Sequence, residues 1–245
     1  MSNWVRSLIL KYLDKFYAIL GCTGTLETLS DQQNTILEND YNIKANKIIP
    51  SIYGRKQCNW EPKNDLTVEN ELNYHKVIAI QISLKVDVQR PVFVVFESKK
   101  DLYAFHNSDA FKSNKLNAAI LTEEANLQEK KVIISKATSS GKITLFTKIF
   151  GRGTDFILHD KHVKEKGGVH VIQTFLSDEL SEEIQIRGRT ARQGEPGSYS
   201  MILCEKQLQK YNVLPKDLEE HSHELYTFLD EKRKSFFSNQ YSENI

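Results

Sequence analysis

Pro91-Val92-Phe93-Val94-Val95-Phe96 is an unbroken run of β-branched and aromatic residues behind a proline. A strand solvated on one face alternates apolar with polar residues, whereas a run without alternation is the pattern of a parallel strand buried on both faces. Around it, helical and strand-like patterns alternate. A helix is expected to start at Thr67 with Asn70, with Leu72, His75, Ala79, Ile82 and Val86 on one face, ending before Pro91. Lys99 to Phe111 reads as a helix, Asn117 to Leu121 as a strand and Glu123 to Lys136 as a helix broken before Ser139-Ser140-Gly141. Strands follow at Lys142–Thr147, Val169–Thr174 and Tyr199–Cys204, with a helix from about Asp178 to Arg189. Such alternation implies right-handed crossovers and an open, mostly parallel α/β sheet with helices on both faces.

The flanks read differently. Val5, Leu8, Ile9, Tyr12, Leu13, Phe16 and Tyr17 recur at helical spacing, Ala18-Ile19-Leu20 reads as a short strand, and Ser30 with Gln33 as a capping box, giving an N-terminal helix-strand-helix segment. Lys47-Ile48-Ile49-Pro50 is a further short strand. Between Ser51 and Leu66 the periodicity disappears and Gly54, Asn59, Pro62 and Asn64 accumulate, as in a linker. After Cys204 the pattern is helical and polar, with Lys206–Tyr211, then a helix from Pro215 toward Phe236 and a frayed end from Ser238. The resulting division is 1–52, a linker over 53–66, a main domain over 67–205 and a helical extension over 206–245.

Composition narrows the function classes. Of the 245 residues 40% are hydrophobic, enough for a real core. Lys+Arg 33 against Asp+Glu 32 leaves a net charge of +1, so no global field draws the chain to nucleic acid or an anionic membrane, and anion binding must be local. Cys22, Cys58 and Cys204 are odd in number and far apart, which fits neither a disulfide framework nor a zinc site and points to a reducing compartment. Arg6, Lys11, Asp14 and Lys15 interrupt the first twenty residues, so these lack a signal-peptide core.

Local anion binding has a visible candidate. Phe150-Gly151-Arg152-Gly153-Thr154-Asp155 and Gln185-Ile186-Arg187-Gly188-Arg189-Thr190-Ala191-Arg192-Gln193-Gly194 combine glycines with guanidinium groups. A guanidinium is a planar fork of donors matched to phosphate oxygens, and a neighbouring glycine admits close backbone approach. Packing alone is not expected to demand so many of both. Because ligands of open parallel sheets sit outside the carboxyl ends of the strands, both loops are expected there, converging on one phosphate.

His170, inside an apolar strand, reads as a packed, hydrogen-bonded core residue, whereas His159, His162, His221 and His223 read as exposed, and no metal ligands are expected. The Glu182-Glu183 and Glu219-Glu220 pairs read as solvated helix faces, and Lys161, Lys164 and Lys166 as a wet loop.

The segments Ile143 to Asp155, Gly167 to Ile172 and Gln185 to Ser198, together with Gly21-Cys22-Thr23-Gly24-Thr25, resemble SecA, the preprotein translocase motor. SecA is similar in turn to superfamily 2 helicases built on two RecA-like domains. The resemblance implies that 1–52 closes a first motor domain and 67–205 is a second RecA-like domain. It implies that Arg189 and Arg192 reach the phosphates of ATP, that Asp155 approaches the ribose or pairs with a neighbouring arginine, and that Gly151, Arg152 and Gly153 form the nucleotide loop. Arg152 would link nucleotide state to domain closure, Gln185 would position the second loop, and Thr23, Gly24 and Thr25 would couple the domains. ATP and Mg would be held mainly by the first RecA-like domain of the longer protein, with an unfolded polypeptide and a membrane channel as further partners and nucleic acid a lesser one. The setting implied is cytoplasmic, including the periphery of a membrane.

Two departures stand out: Thr190-Ala191 where SecA proteins have a small residue and glycine, and Phe175-Leu176-Ser177-Asp178-Glu179 where they carry a basic, histidine-containing stretch. No G-x-x-x-x-G-K-[ST] phosphate-binding loop occurs, so this chain alone is expected to be inactive toward ATP. Two other readings fit the same residues: an RNA or DNA helicase C-terminal domain, and a non-catalytic interaction module of helicase-like fold.

Overall fold

The computed structural model describes residue 21 and residues 24–29 and 31–242 and divides into two units, 1–50 and 51–245. The expected helix over Val5–Tyr17, the strand Ala18–Leu20, Cys22-Thr23 and Ser30 lie outside the described residues. In the first unit a 3-10 turn, Leu26–Thr28, precedes helix α1 (Asp31–Thr35), which widens into a π-helical turn over Ile36–Asp40. Lys47–Pro50 is irregular rather than a strand, and Ile48 and Ile49 are exposed; among the described residues no strand pairs with this segment to supply ladder hydrogen bonds.

The second unit is built on one parallel sheet. Its strands are β1 (Cys58–Asn59), β2 (Leu66–Glu69), β3 (Val92–Phe96), β4 (Ala118–Leu121), β5 (Ile143–Thr147), β6 (Val169–Gln173) and β7 (Gly197–Cys204), in the order β1-β7-β6-β3-β5-β4. β2 also pairs with β7, so β1 and β2 form one interrupted edge strand, Cys58 opposite Gly197 and Leu66 opposite Met201. Every pairing in the sheet is parallel. Phe93 and Val95 point to one face, where they join Phe146, Val171, Tyr199 and Phe228; Val92, Val94 and Phe96 point to the other, with Ile143, Ile172, Ile78 and Phe105. That two-sided burial is the physical content of the unalternating run.

The helices are α2 (Pro62–Asp65), α3 (Glu71–Asp87), α4 (Lys99–His106), α5 (Leu127–Lys136), α6 (Lys161–Glu165), α7 (Leu180–Arg187), α8 (Glu205–Leu208), α9 (Pro215–Glu220) and α10 (Leu225–Ser242). Asn70 caps α3 by accepting from the Leu72 and Asn73 amides, while Thr67 lies in β2. The α3 face is rotated from the expected one: Tyr74, Ile78, Ala79 and Ile82 are buried and Leu72 is 82% exposed. α5 starts at Leu127, behind a reciprocal Asn126–Glu129 capping box, because that box satisfies the first-turn donors which Glu123 would leave open.

Three segments depart from their sequence reading. Within 53–66, expected as a linker, β1 and α2 fold against the sheet, and Trp60 sets its ring edge-on to Tyr199 and Tyr226. The extension over 206–245 supplies Leu208, Tyr211, Val213, Phe228 and Leu229 to the main core, and α10 continues through Ser238, where fraying was expected. Glu183, expected on a solvated face, is fully buried against Arg233 of α10: Arg233 Nη1 donates to Glu183 Oε2 at 2.7 Å, the Tyr226 hydroxyl donates to Oε1 at 2.6 Å, and Arg233 also bonds Asp230. Burial opposes the charge on Arg233, but Glu183 and Asp230 outweigh it and raise its pKa. Breaking a buried pair from one side costs about 3–5 kcal/mol, whereas removing both charges together can be close to neutral. Glu183→Gln and Arg233→Met are each expected to lower unfolding free energy by about 3 kcal/mol. The double variant should lose less than the sum, which a urea-denaturation cycle measures.

Candidate functional site

The first loop leaves the carboxyl end of β5 through a 3-10 turn, Lys148–Gly151, and then runs back across one face of the sheet. Phe156 packs on Phe93 and Phe146, and Thr138 Oγ1 donates to the Ile157 carbonyl at 2.9 Å. Residues 154–158 therefore arrive at the amino ends of the strands. The second loop follows α7 and is pressed onto the same edge. Thr190 Oγ1 donates to the Val169 carbonyl at 2.6 Å, where β6 begins.

This placement corrects the expectation that both loops sit beyond the strands' carboxyl ends. That end is occupied by an ion-pair lattice: Lys210 bonds Glu97 at 2.9 Å and Asp178 at 3.1 Å, and the Tyr211 hydroxyl donates to Asp178 at 2.8 Å. The Phe175–Glu179 departure belongs to this lattice. Phe175, Leu176 and Ser177 are buried, Gln173 Nε2 donates to the Phe175 carbonyl and to Ser177 Oγ, and Asp178 takes the lysine.

At the amino edge the arginines meet the first loop. Arg189 Nη1 donates to the Thr154 carbonyl and its Nε to the Gln185 carbonyl at 3.2 Å, while Arg192 Nη1 forms an ion pair with Asp155. Gln185 thus bonds Arg189 through its backbone. Among the described residues, Arg189 Nη2 and Arg192 Nε and Nη2 have no hydrogen-bond partner, leaving donors for an anion. Arg152 is exposed and its charge acts on Glu182; no hydrogen bond or ion pair joins it to Arg189, Arg192 or Asp155. Gly24 and Thr25 lie in the other unit, where the Thr25 carbonyl accepts from the Thr28 amide and hydroxyl, and Thr23 is outside the described residues.

Packing explains more of the glycines than their chemistry suggested. A Cβ on Gly151 would fall 2.7 Å from Ile186 Cγ1, one on Gly168 1.9 Å from the Pro196 carbonyl oxygen, and one on Gly197 2.1 Å from Thr190 Oγ1. Gly153 meets open space but has φ +66°. Ala191, where the resemblance calls for glycine, adopts φ +51°, so the backbone keeps a glycine-like turn that costs alanine about 1 kcal/mol.

Sequence reasoning missed the supports beneath. Among the described residues Arg90 has no carboxylate partner; its Nε donates to the Gly168 carbonyl at 2.9 Å, and its Nη2 to the Gly167 carbonyl at 2.7 Å and Ser198 Oγ at 2.6 Å, pinning the turn that starts β6. His170 sits beside it between Ser198 Oγ at 2.8 Å and Ser200 Oγ at 3.1 Å, a core residue as read from the sequence. His159, His162, His221 and His223, read as exposed, are exposed, as are Glu219 and Glu220, and among the described residues no cluster could hold a metal ion. Lys164, in α6 rather than a loop, pairs with Glu195 at 2.6 Å. No described helix is long and apolar enough to cross a membrane.

The parallel sheet with helices on both faces is a RecA-like α/β fold, the fold of helicase domains. A solved structure, S. cerevisiae Dbp5 bound to RNA and ADP BeF3, matches 84% of this chain and 47% of its own with TM-score 0.53 and 16% identity, a likeness of fold. In sequence the chain is similar to SecA proteins. It is 30% identical over 189 residues to protein translocase subunit SecA of Helicobacter pylori strain J99, covering 76% of this chain and 20% of that protein. It is 29% identical over 208 residues to protein translocase subunit SecA 2 of Bacillus thuringiensis subsp. konkukian, covering 83% of this chain and 24% of that protein. No family model matches the chain. The chain spans about a fifth to a quarter of the length of these curated relatives.

Two outcomes follow from the geometry. Gly197→Ala is expected to destabilise by about 2 kcal/mol or more, since Thr190 and the Ala191 backbone must move, against about 1 kcal/mol for Gly153→Ala, where only the left-handed backbone objects; thermal melts distinguish the two. Burial first, then Lys85 and Arg90, holds the His170 pKa well below its usual value. The folded protein therefore keeps His170 neutral where the unfolded chain takes a proton, so its contribution is complete above about pH 6.5 and is lost below, by about 1.4 kcal/mol per pH unit. His75, partly buried, shifts in the same direction. Between pH 7 and 5, unfolding free energy should fall more steeply in the wild type than in His170→Gln.

Proposed function

We propose that this chain is the second motor domain of a SecA-like ATPase, supplying Arg189 and Arg192 to ATP bound by a first RecA-like domain, and that the cycle drives protein translocation. The observation carrying this reading is the pair of guanidinium groups tied to Thr154 and Asp155 of the first loop with donors left over. Charge builds on the transferring phosphoryl group during hydrolysis, and an arginine already oriented toward it stabilises that charge without reorganising at the moment of reaction. Asp155 keeps Arg192 extended until phosphate replaces the carboxylate. Gly151 and Gly153 shape the first loop, and Arg152, on its exposed part, reports domain closure. Gly24 and Thr25, with Thr23, couple the domains from the other unit.

Magnesium and the phosphate-binding loop, on this reading, belong to the first domain, which the residues here complement with cations only. The wider partners are an unfolded polypeptide and a membrane channel, in a cytoplasmic setting. A nucleic-acid track is the weaker alternative, because the net charge of +1 supplies no general attraction to a phosphate backbone.

Adding a SecA-type first motor domain in trans is expected to produce ATP turnover, which Arg189→Ala or Arg192→Ala lowers about a thousandfold or more. Turnover that survives both substitutions rejects the arginine assignment.

A further inference from the structure

The segment read as a linker touches the arginine loop at three points. The Tyr53 carbonyl lies 3.5 Å from where a Gly194 Cβ would stand, the Gly197 amide donates to the Gln57 carbonyl at 3.0 Å, and Lys56 Nζ donates to the Arg187 carbonyl at 3.3 Å. Lys56 thus sits against the loop that bears Arg187, Arg189 and Arg192, and the charges of all three act on it. Among the described residues, Asp155 is the single carboxylate bonded to any of these four cations, and it takes Arg192. The surplus there is +4 − 1 = +3, on a chain whose net charge is +1. Like charges gathered this closely repel one another unless an anion joins them.

We propose that Lys56 is a further phosphate-binding residue, closing over the second arginine loop to hold the terminal phosphates of a nucleoside triphosphate together with Arg189 and Arg192. This deepens the reading under Proposed function and rests on it. An ammonium on a flexible stem complements two guanidinium forks: it supplies a mobile point charge that follows the phosphate chain, while the arginines fix its orientation. Desolvation, and then the charges of Arg187, Arg189 and Arg192, lower the Lys56 pKa, and an arriving polyphosphate reverses that strain. The backbone contacts of Tyr53 and Gln57 place the lysine without involving its side chain, so the charge can be removed without unfolding the segment.

Calorimetric titration of the whole chain with inorganic tripolyphosphate at low salt tests this, using Lys56→Gln, Lys56→Arg and Arg189→Gln, with thermal melts as the folding control. Wild type should bind, Lys56→Gln should bind about tenfold more weakly at an unchanged melting temperature, and Lys56→Arg should recover most of the loss. If Lys56→Gln matches wild type while Arg189→Gln loses affinity, the lysine assignment falls and the nucleotide reading stands. If wild type fails to bind at millimolar concentration, or neither glutamine variant changes the affinity, both fall.

Discussion

Two backbone approaches at the amino ends of β6 and β7 hold the site together. Gly168 lies against the Pro196 carbonyl and Gly197 against Thr190 and Ala191, with no room for a Cβ at either position. Only that closeness lets the chain leave α7, turn through Ala191 and Gln193 with positive φ, and enter β7 with Arg189 and Arg192 facing the first loop. Arg90 reinforces the junction from below, because its donors reach the carbonyls of Gly167 and Gly168 and the hydroxyl of Ser198. The chemistry of the two arginines therefore rests on sterics several residues away.

The sheet was legible because strands buried on both faces announce themselves: β3, β4, β5, β6 and β7 fall within a residue or two of where their apolar runs placed them. The contact between Arg192 and Asp155 was legible only through the resemblance, which offered pairing with a neighbouring arginine as one of two places for Asp155. What composition could not convey was direction. Phe150 to Leu158 reads as one loop, and nothing in it announces a return across the sheet to the opposite edge; Phe156, buried against Phe93 and Phe146, is the residue that makes the crossing favourable. The ligand rule for open sheets was applied to the start of that loop, whereas the charged groups sit at its end.

Long-range pairs were also invisible. Glu183 occupies a position that looks wet from its neighbours Glu182 and Gln185, and its partner Arg233 is fifty residues away on α10. Lys56 and Trp60 sit in a stretch with no period at all, because a two-residue strand and a single helical turn are too short to generate one. The contacts of these groups depend on tertiary partners, and tertiary partners are what a local pattern omits.

The divided edge strand has a consequence for colloidal behaviour. Both β1 and β2 pair with β7, but α2 and its Pro62 interrupt them, so the outer border of the sheet presents two and then four residues instead of a continuous ribbon. A short, broken border is a poor template for another chain's backbone. The RecA-like unit is thereby shielded on that flank from edge-to-edge stacking and fibril growth.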